Sequence, residues 1–138
     1  MLQTQTMTWK EARAEAEPIR LIVFVEEQKV PVEMEVDEHD SVCIHVIARS
    51  EGNAVGTGRL LPDGHIGRMA VLKAWRGKGV GAAMLKVLID AARERGDKEV
   101  VLSAQTHALE FYRKYGFASE GVVYPDCDIP HQDMRKKL

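Results

Sequence analysis

The sequence has few of the features that support disulfides, membrane spans or nucleic-acid binding. Only two of its 138 residues are cysteines, Cys43 and Cys127, and their spacing fits neither a disulfide framework nor a zinc site. No apolar run approaches the roughly 20 residues that a membrane-spanning helix needs. Nineteen Lys and Arg stand against 21 Asp and Glu, so the large basic excess typical of nucleic-acid binders is missing. We therefore expect no metal, no membrane association and no nucleic-acid partner.

The start of the chain and its composition favour a cytoplasmic protein with a single domain. Residues 1–18 lack the basic and apolar regions of a secretory signal. Hydrophobic residues make up 45% of the chain and charged residues 29%, a balance that supports a buried core. A length of 138 residues fits one domain of ordinary size. We predict a single domain over residues 1–138.

Hydrophobic periodicity predicts an alternation of strands and helices. A β-prone stretch at residues 3–8 precedes a polar helix at 10–18, and a second helix is predicted to start at Pro18 because proline suits a first turn. The acidic run at 30–40 is predicted to be irregular. Strands at 42–48, 54–61 and 65–72, separated by turn residues, predict a three-stranded antiparallel meander.

The second half of the chain has the pattern of a strand crossover. Apolar residues at helical spacing predict an amphipathic helix over residues 79–95, which Gly96 can terminate. A buried strand at 98–104 and a shorter helix at 106–115 follow, and the last 20 residues read as two β segments around a loop.

A glycine-rich segment, RGKGVG at residues 76–81, precedes the amphipathic helix. Its glycines permit a close approach to the main chain, and the free N–H groups of a helix start together with two cations favour a phosphate or pyrophosphate. The alternative is a turn that only connects two elements. No nucleotide P-loop string occurs, and Gly77-x-Gly79-x-x-Ala82 fits the looser dinucleotide fingerprint. The next strand ends in LSAQ, without the acidic residue that this fingerprint needs.

Two motifs carry a resemblance to a known family. RGKGVG is similar to the [RQ]-x-x-G-x-[GA] acyl-CoA pyrophosphate loop of the GNAT superfamily, the Gcn5-related N-acetyltransferases. ALEFYRKYGF at residues 108–117 resembles the family's A-x-x-[FL]-Y-x-x-x-G-F segment. The segments at 20–31 and 129–131 resemble a group of small bacterial acetyltransferases whose substrates are mostly unassigned. The resemblance implies an α/β GNAT fold: a mixed, mostly antiparallel sheet with helices on both faces, splayed at the fourth strand to admit acetyl-CoA.

The resemblance also implies roles for residues on the donor side. The backbone of Met69, Ala70 and Val71 would bond the pantetheine arm, and the Met69 amide would stabilise the oxyanion. Tyr112 would protonate the departing thiolate, although an aromatic core role is the alternative. Gln105 stands where many members carry an asparagine that contacts the cofactor arm. The residues implied in pyrophosphate binding are Arg76, Gly77, Lys78, Gly79, Val80 and Gly81.

The acceptor side is less specified by the resemblance. Some members place a glutamate four residues before the position of Met69, and here His65 stands there as a candidate base or as a solvated histidine. The candidate acceptor ligands are Glu27, Glu35, His39 and His131. The acidic run hints at a cationic amine, whereas an ordinary solvated loop would also explain it.

The implied reaction is direct transfer of the acetyl group from acetyl-CoA to a primary amine of a small molecule or peptide, and the family analogy suggests a homodimer. Two alternatives stay open. One is a CoA-binding sensor or interaction domain without turnover, and the other is a dinucleotide-dependent enzyme.

Overall fold

The computed structural model describes residues 1–35 and 37–138 and has a seven-stranded mixed sheet with helices on both faces. The strands are Leu2–Met7 (β1), Ile44–Ser50 (β2), Asn53–Leu60 (β3), His65–Val71 (β4), Glu99–Gln105 (β5), Ala118–Asp126 (β6) and Ile129–Lys137 (β7). The helices are Trp9–Arg20 (α1), Val32–Glu35 (α2), Val80–Arg95 (α3) and Leu109–Arg113 (α4), with a π-helical segment at Leu21–Glu27 and 3₁₀ turns at Glu38–Val42, Lys73–Trp75 and Thr106–Ala108. The predicted order of the seven strands, and the predicted helices before β5 and before β6, are confirmed, whereas the region between β1 and β2 has more helical segments than predicted.

The sheet has the order β1-β2-β3-β4-β5-β7-β6. The pairing of β4 with β5 is parallel, and the other neighbours pair antiparallel. The turn between β2 and β3 places Glu51 and Gly52 at positive φ, as a two-residue hairpin turn requires. The predicted meander and the crossover from β4 through α3 to β5 are therefore present in one mixed sheet.

Side chains alternate between the two faces of the central strands. Val46 and Ala48 of β2 belong to the main core under α3, whereas Ile47 between them packs against Ala12 and Ala16 of α1. This alternation follows from the two-residue period of a strand. Helix α1 thus covers one face of β2–β4, and α3 covers the other.

Gly56 of β3 lets α3 approach the sheet closely. A Cβ at this position would lie 3.0 Å from Val80 Cγ1 and 3.0 Å from Met84 Sδ, both of which are buried side chains. We expect Gly56→Ala to lower the free energy of unfolding by about 1–3 kcal/mol, because the core has no room for the methyl group. Urea unfolding measures this, with Gly67→Ala as control since a Cβ there meets nothing within 4 Å. Equal losses in both variants would contradict the packing argument.

Two local predictions are wrong. Helix α1 continues through Pro18 to Arg20 instead of restarting at the proline, because Ala12, Ala16 and Ile19 are buried on one face across it. A proline removes one helical hydrogen bond, and burial of this face outweighs that loss. The acidic run also contains α2 and a 3₁₀ turn at Glu38–Val42 where irregular structure was predicted. Val36, in the same run, lies outside the described residues.

Candidate active site

The sheet splits between β4 and β5. These two strands pair only at His65 with Val101 and at Ile66 with Leu102. Beyond this point β4 carries an irregularity against β3, since Arg59 pairs with Gly67 but Thr57 pairs with Ala70. Three steps along β4 therefore match two steps along β3, which is the geometry of a β-bulge and bends the strand. The sheet opens at the fourth strand, as the resemblance implied.

A cleft of about 790 Å³ fills this opening. The π-helical segment, β4, β5 and α4 form its walls. The structure brings together at this cleft the following residues proposed from the sequence: Glu27, His65, Met69, Ala70, Val71, Arg76, Gln105, Tyr112 and His131. Donor-side and acceptor-side candidates thus share one cavity.

The other candidates lie elsewhere within the described part of the chain. Gly77, Lys78, Gly79, Val80 and Gly81 form the turn into α3, next to Arg76 but outside the lining of the cleft. Glu35 lines a smaller adjoining chamber of about 180 Å³. His39 is exposed on the 3₁₀ turn and lines neither cavity.

The glycine-rich turn has the backbone geometry that a phosphate loop needs. Gly77 and Gly79 have φ values of 76° and 84°, which residues with a side chain rarely adopt. Helix α3 begins directly after Gly79, so the N–H groups of its first turn have no partner one turn earlier within the helix. Lys78 Nζ lies 5.3 Å from the centroid of the Trp75 ring. An anion at this helix start would meet free N–H groups and a positive dipole end.

Arg76 is held from two sides at the edge of the cleft. Its Nε donates to the carbonyl oxygen of Val71 at 3.0 Å, and its Nη2 donates to Glu27 Oε1 at 2.6 Å. The carboxylate of Glu27, proposed above as an acceptor ligand, therefore orients the guanidinium beside the glycine-rich turn.

Tyr112 combines core packing with access to the cleft. Its ring lies 5.1 Å from the ring of Phe111 and 5.9 Å from that of Phe117, both in edge-on arrangements. Burial raises the pKa of Tyr112 to about 12, so its hydroxyl carries a proton throughout the neutral range. A protonated phenol that lines the cleft can donate a proton to a leaving group.

The two cleft histidines differ in burial and partners. His65 is exposed, and its Nδ1 lies 2.9 Å from Asp63 Oδ1. His131 is only 9% exposed, and its Nδ1 lies 2.7 Å from the carbonyl oxygen of Ile129. The first is a solvated histidine beside a carboxylate, and the second is fixed in the wall of the cleft.

A buried ion network lies behind the cleft and begins at Arg20. Its Nε donates to Glu35 Oε1 at 2.6 Å, and its Nη1 donates to Asp40 Oδ1 at 2.9 Å. All three side chains are at most 2% exposed. The carboxylate of Glu35 is therefore held by an arginine, and we no longer assign Glu35 to the acceptor.

Arg59 extends the network to the cleft. Its Nη1 donates to Asp40 Oδ1 and to Asp37 Oδ1, each at 2.8 Å, and Arg68 Nη2 lies 3.4 Å from Asp37 Oδ2. Hydrogen bonding from Arg59 lowers the pKa of Asp37 to about 2. The arginines pair with Glu35, Asp37 and Asp40, three of the five carboxylates of the acidic run, and this weakens the run as an argument for a cationic acceptor.

Several cleft residues were missed from the sequence. They are Phe24, Gln28, Arg59, Arg68, Ser103, His107 and Asp126. Gln28 accepts a 2.8 Å hydrogen bond from Gln105 Nε2 and thereby ties the π-helical segment to β5. Of these residues, Arg68 could have been predicted from the sequence, because it directly precedes Met69 on the splayed strand. Polar residues that approach from distant segments leave no local pattern.

Two findings concern what the described residues do not form. Within residues 1–35 and 37–138, no group of three or more His, Cys, Asp or Glu has the arrangement of a metal site. None of the described helices is long and apolar enough to cross a membrane.

Comparisons with known proteins agree with the geometry. Residues 10–138 match the family model of the acetyltransferase (GNAT) domain. YjcF of Bacillus subtilis, named an uncharacterized N-acetyltransferase, is 38% identical over 122 residues, which cover 86% of this chain and 87% of that protein. An acyl-CoA N-acyltransferase of Pseudomonas aeruginosa is 34% identical, with a TM-score of 0.88 over 99% of both chains. Escherichia coli ElaA is 29% identical, with a TM-score of 0.87 over 99% of this chain and 100% of that one.

Proposed function

Because the chain belongs to the GNAT acetyltransferase family, we propose that it transfers an acetyl group from acetyl-CoA to a primary amine by direct attack. The observation that carries the proposal is the cleft between β4 and β5, which opens beside a glycine-rich helix start. A thioester arm can lie along β4 there while the pyrophosphate reaches the N-terminus of α3.

The donor would be held by main-chain groups and two cations. Beyond Ile66, β4 has no pairing with β5, so its backbone edge on that side faces the cleft. An amide at Met69 that faces the thioester carbonyl would stabilise the negative charge on the oxygen during attack, an effect of about 3–4 kcal/mol where such donors have been removed from other enzymes. Arg76 and Lys78 would bind the phosphates beside the amides of the turn.

The bond changes balance without a further reactant. The amine nitrogen attacks the thioester carbon, the new C–N bond forms and the C–S bond breaks. The amine loses a proton to a base, the thiolate takes a proton from the Tyr112 hydroxyl, and the proton on the base returns to Tyr112 through solvent. The raised pKa of Tyr112 keeps this proton in place before the reaction.

Calorimetric titration with acetyl-CoA, NADH and ATP in parallel tests the donor. We expect binding of acetyl-CoA alone, and binding of NADH without acetyl-CoA would replace the proposal with a dinucleotide-dependent enzyme. Release of free thiol from acetyl-CoA is then measured with spermidine, tyramine, L-glutamate and a lysine-containing peptide. Binding of acetyl-CoA with no acetylation of any amine would favour a CoA sensor.

Reversing the charges of Arg76 and Lys78 is expected to weaken acetyl-CoA binding by more than about tenfold, because charge-assisted phosphate contacts are replaced by repulsion. Calorimetry measures the change in Kd. Arg13→Glu is the control, since Arg13 is an exposed arginine on α1 that pairs with Glu17 and lies over the Trp9 ring, and Arg13 does not line the cleft formed by the described residues. An unchanged Kd in the Arg76→Glu, Lys78→Glu variant would contradict the phosphate-loop assignment.

A further inference from the structure

The strand register places His131 opposite Met69 and Ala70, the β4 residues proposed to bind the thioester. Ile66 of β4 pairs with Leu102 of β5, which puts Gly67 level with Ser103. Because the bulge uses three steps of β4 for two, Ala70 is level with Gln105, and Met69 lies just below it. Gln105 pairs directly with His131 of β7. His131 therefore stands across the cleft at the height of Met69 and Ala70.

His65 stands at a different height. It pairs with Val101, four residues before Gln105 on the same strand. Four residues of a strand span about 13 Å. The exposed histidine thus lies well below Met69, which lines the cleft, and toward the end where β4 and β5 pair.

The side chain of His131 projects from the face of the sheet opposite to α3. Directly opposed residues of an antiparallel pair share a face, so His131 and Gln105 project to the same side. Ala104, the residue before Gln105 on β5, is buried in the core under α3, so Gln105 and His131 project from the opposite face. The His131 ring stacks on Tyr124, with 6.2 Å between centroids, and it lines both the cleft and the adjoining 180 Å³ chamber. It lies where the two cavities meet.

The partner of Nδ1 fixes the chemistry of the ring. A carbonyl oxygen only accepts hydrogen bonds, so the 2.7 Å contact with Ile129 places the proton of a neutral His131 on Nδ1. The lone pair is then on Nε2, and the imidazole is preorganised as a proton acceptor.

We propose that His131 is the general base of the acetyl transfer, with the acceptor amine reaching the thioester from the adjoining chamber. The inference rests on the proposed function. His131 Nε2 takes a proton from the acceptor ammonium, directly or through one water molecule. The neutral nitrogen then attacks the thioester carbon, the C–S bond breaks and the sulfur leaves with the proton of Tyr112. The second proton of the new C–N nitrogen returns to the Tyr112 phenolate through solvent, and His131 releases its proton to water.

Two variants separate this role from packing. His131→Asn retains an N–H group where Nδ1 donates to Ile129 and removes Nε2, whereas His131→Ala removes the whole ring. We expect both to lower kcat/KM about 10²–10⁴-fold for the fastest amine of the panel above, with an unchanged Kd for acetyl-CoA. Free imidazole added to His131→Ala should restore part of the rate, since the space left by the ring opens on the cleft. Full activity of His131→Asn would overturn the assignment. An activity loss in both variants would also overturn it if imidazole restored none of the rate of His131→Ala.

His65→Asn distinguishes the two histidines. Its loss of kcat/KM should be at least about tenfold smaller than that of His131→Asn, and the reverse order would return the role to His65. If the wild-type protein acetylates none of the amines, the proposed function fails and the inference fails with it. If the wild type acetylates an amine and His131→Asn does so equally well, only the inference fails.

Discussion

Arg20→Met is expected to lower the free energy of unfolding by about 3–5 kcal/mol. The substitution keeps most of the volume of the side chain but removes the close cation of buried Glu35, which among the described residues retains only Arg68 Nε at 4.0 Å, and leaves Asp40 with Arg59 alone. An unpaired carboxylate in the interior costs far more than an unpaired carboxylate at the surface, because water no longer solvates it. Urea unfolding monitored by circular dichroism measures the loss.

The control is another arginine of the same helix. Arg13 pairs with Glu17 at 2.8 Å, but its side chain is 59% exposed. Arg13→Met should change the free energy of unfolding by less than about 1 kcal/mol, as exposed pairs do. If the two variants lose equal stability, the buried network does not contribute as its geometry indicates. A double variant with Arg20→Met and Glu35→Gln should recover part of the loss, since it removes the carboxylate whose close cation is gone, while Asp40 keeps its pair with Arg59.

The pH dependence of the Arg20→Met effect has a definite sign. Burial opposes the ionisation of Asp40, but hydrogen bonds from Arg20 and Arg59 outweigh it and lower the pKa of Asp40 in the folded state. A carboxyl group with a lowered folded pKa stabilises the fold above its unfolded pKa of about 3.9, and this stability is lost as the pH falls further. The difference between wild type and Arg20→Met should therefore narrow below about pH 4.

The secondary structure was largely predictable from the sequence, whereas the buried ion network of Arg20, Glu35 and Asp40 was not. Helix α3 has a regular apolar stripe and ends at a glycine, so local pattern and tertiary packing agree. Arg20 is different, because only the fold makes a charged residue at the end of a helix one of the most buried side chains. Its partners lie 15 and 20 residues away in a segment that looks like a solvated acidic loop.

The cleft was predictable in outline for a similar reason. The glycine-rich turn and the Tyr112 segment are contiguous motifs, and the structure brings Arg76 and Tyr112 to the same cavity. The heights of His65 and His131 depend on the β4 bulge and on the pairing of β5 with β7. Neither feature has a local signal, so the choice between the two histidines requires the fold.

Tyr112→Phe is expected to lower kcat for acetyl transfer about 10²–10⁴-fold, the range that positioned proton donors contribute. The phenyl ring keeps its packing against Phe111 and Phe117. The free energy of unfolding and the free energy of acetyl-CoA binding should therefore stay within about 0.5 kcal/mol of the wild-type values. The loss would then fall on kcat, as it does when a group acts only in the transition state. Initial rates of thiol release at saturating acetyl-CoA measure it.

Tyr115→Phe is the matched control, since it removes a second phenol hydroxyl from the same aromatic cluster. The Tyr115 ring lies 5.3 Å from Phe111, but Tyr115 does not line the cleft formed by the described residues. Its rate should match that of the wild type. A loss shared by both variants would assign Tyr112 to the packing of α4, and an undiminished rate in Tyr112→Phe would mean that the thiolate leaves without its proton or takes it from water. Burial raises the pKa of Tyr112 to about 12, which keeps the hydroxyl protonated but also makes it a weaker acid. Because the same apolar surroundings disfavour a thiolate formed beside the ring, proton transfer from Tyr112 to sulfur replaces one poorly solvated anion with another.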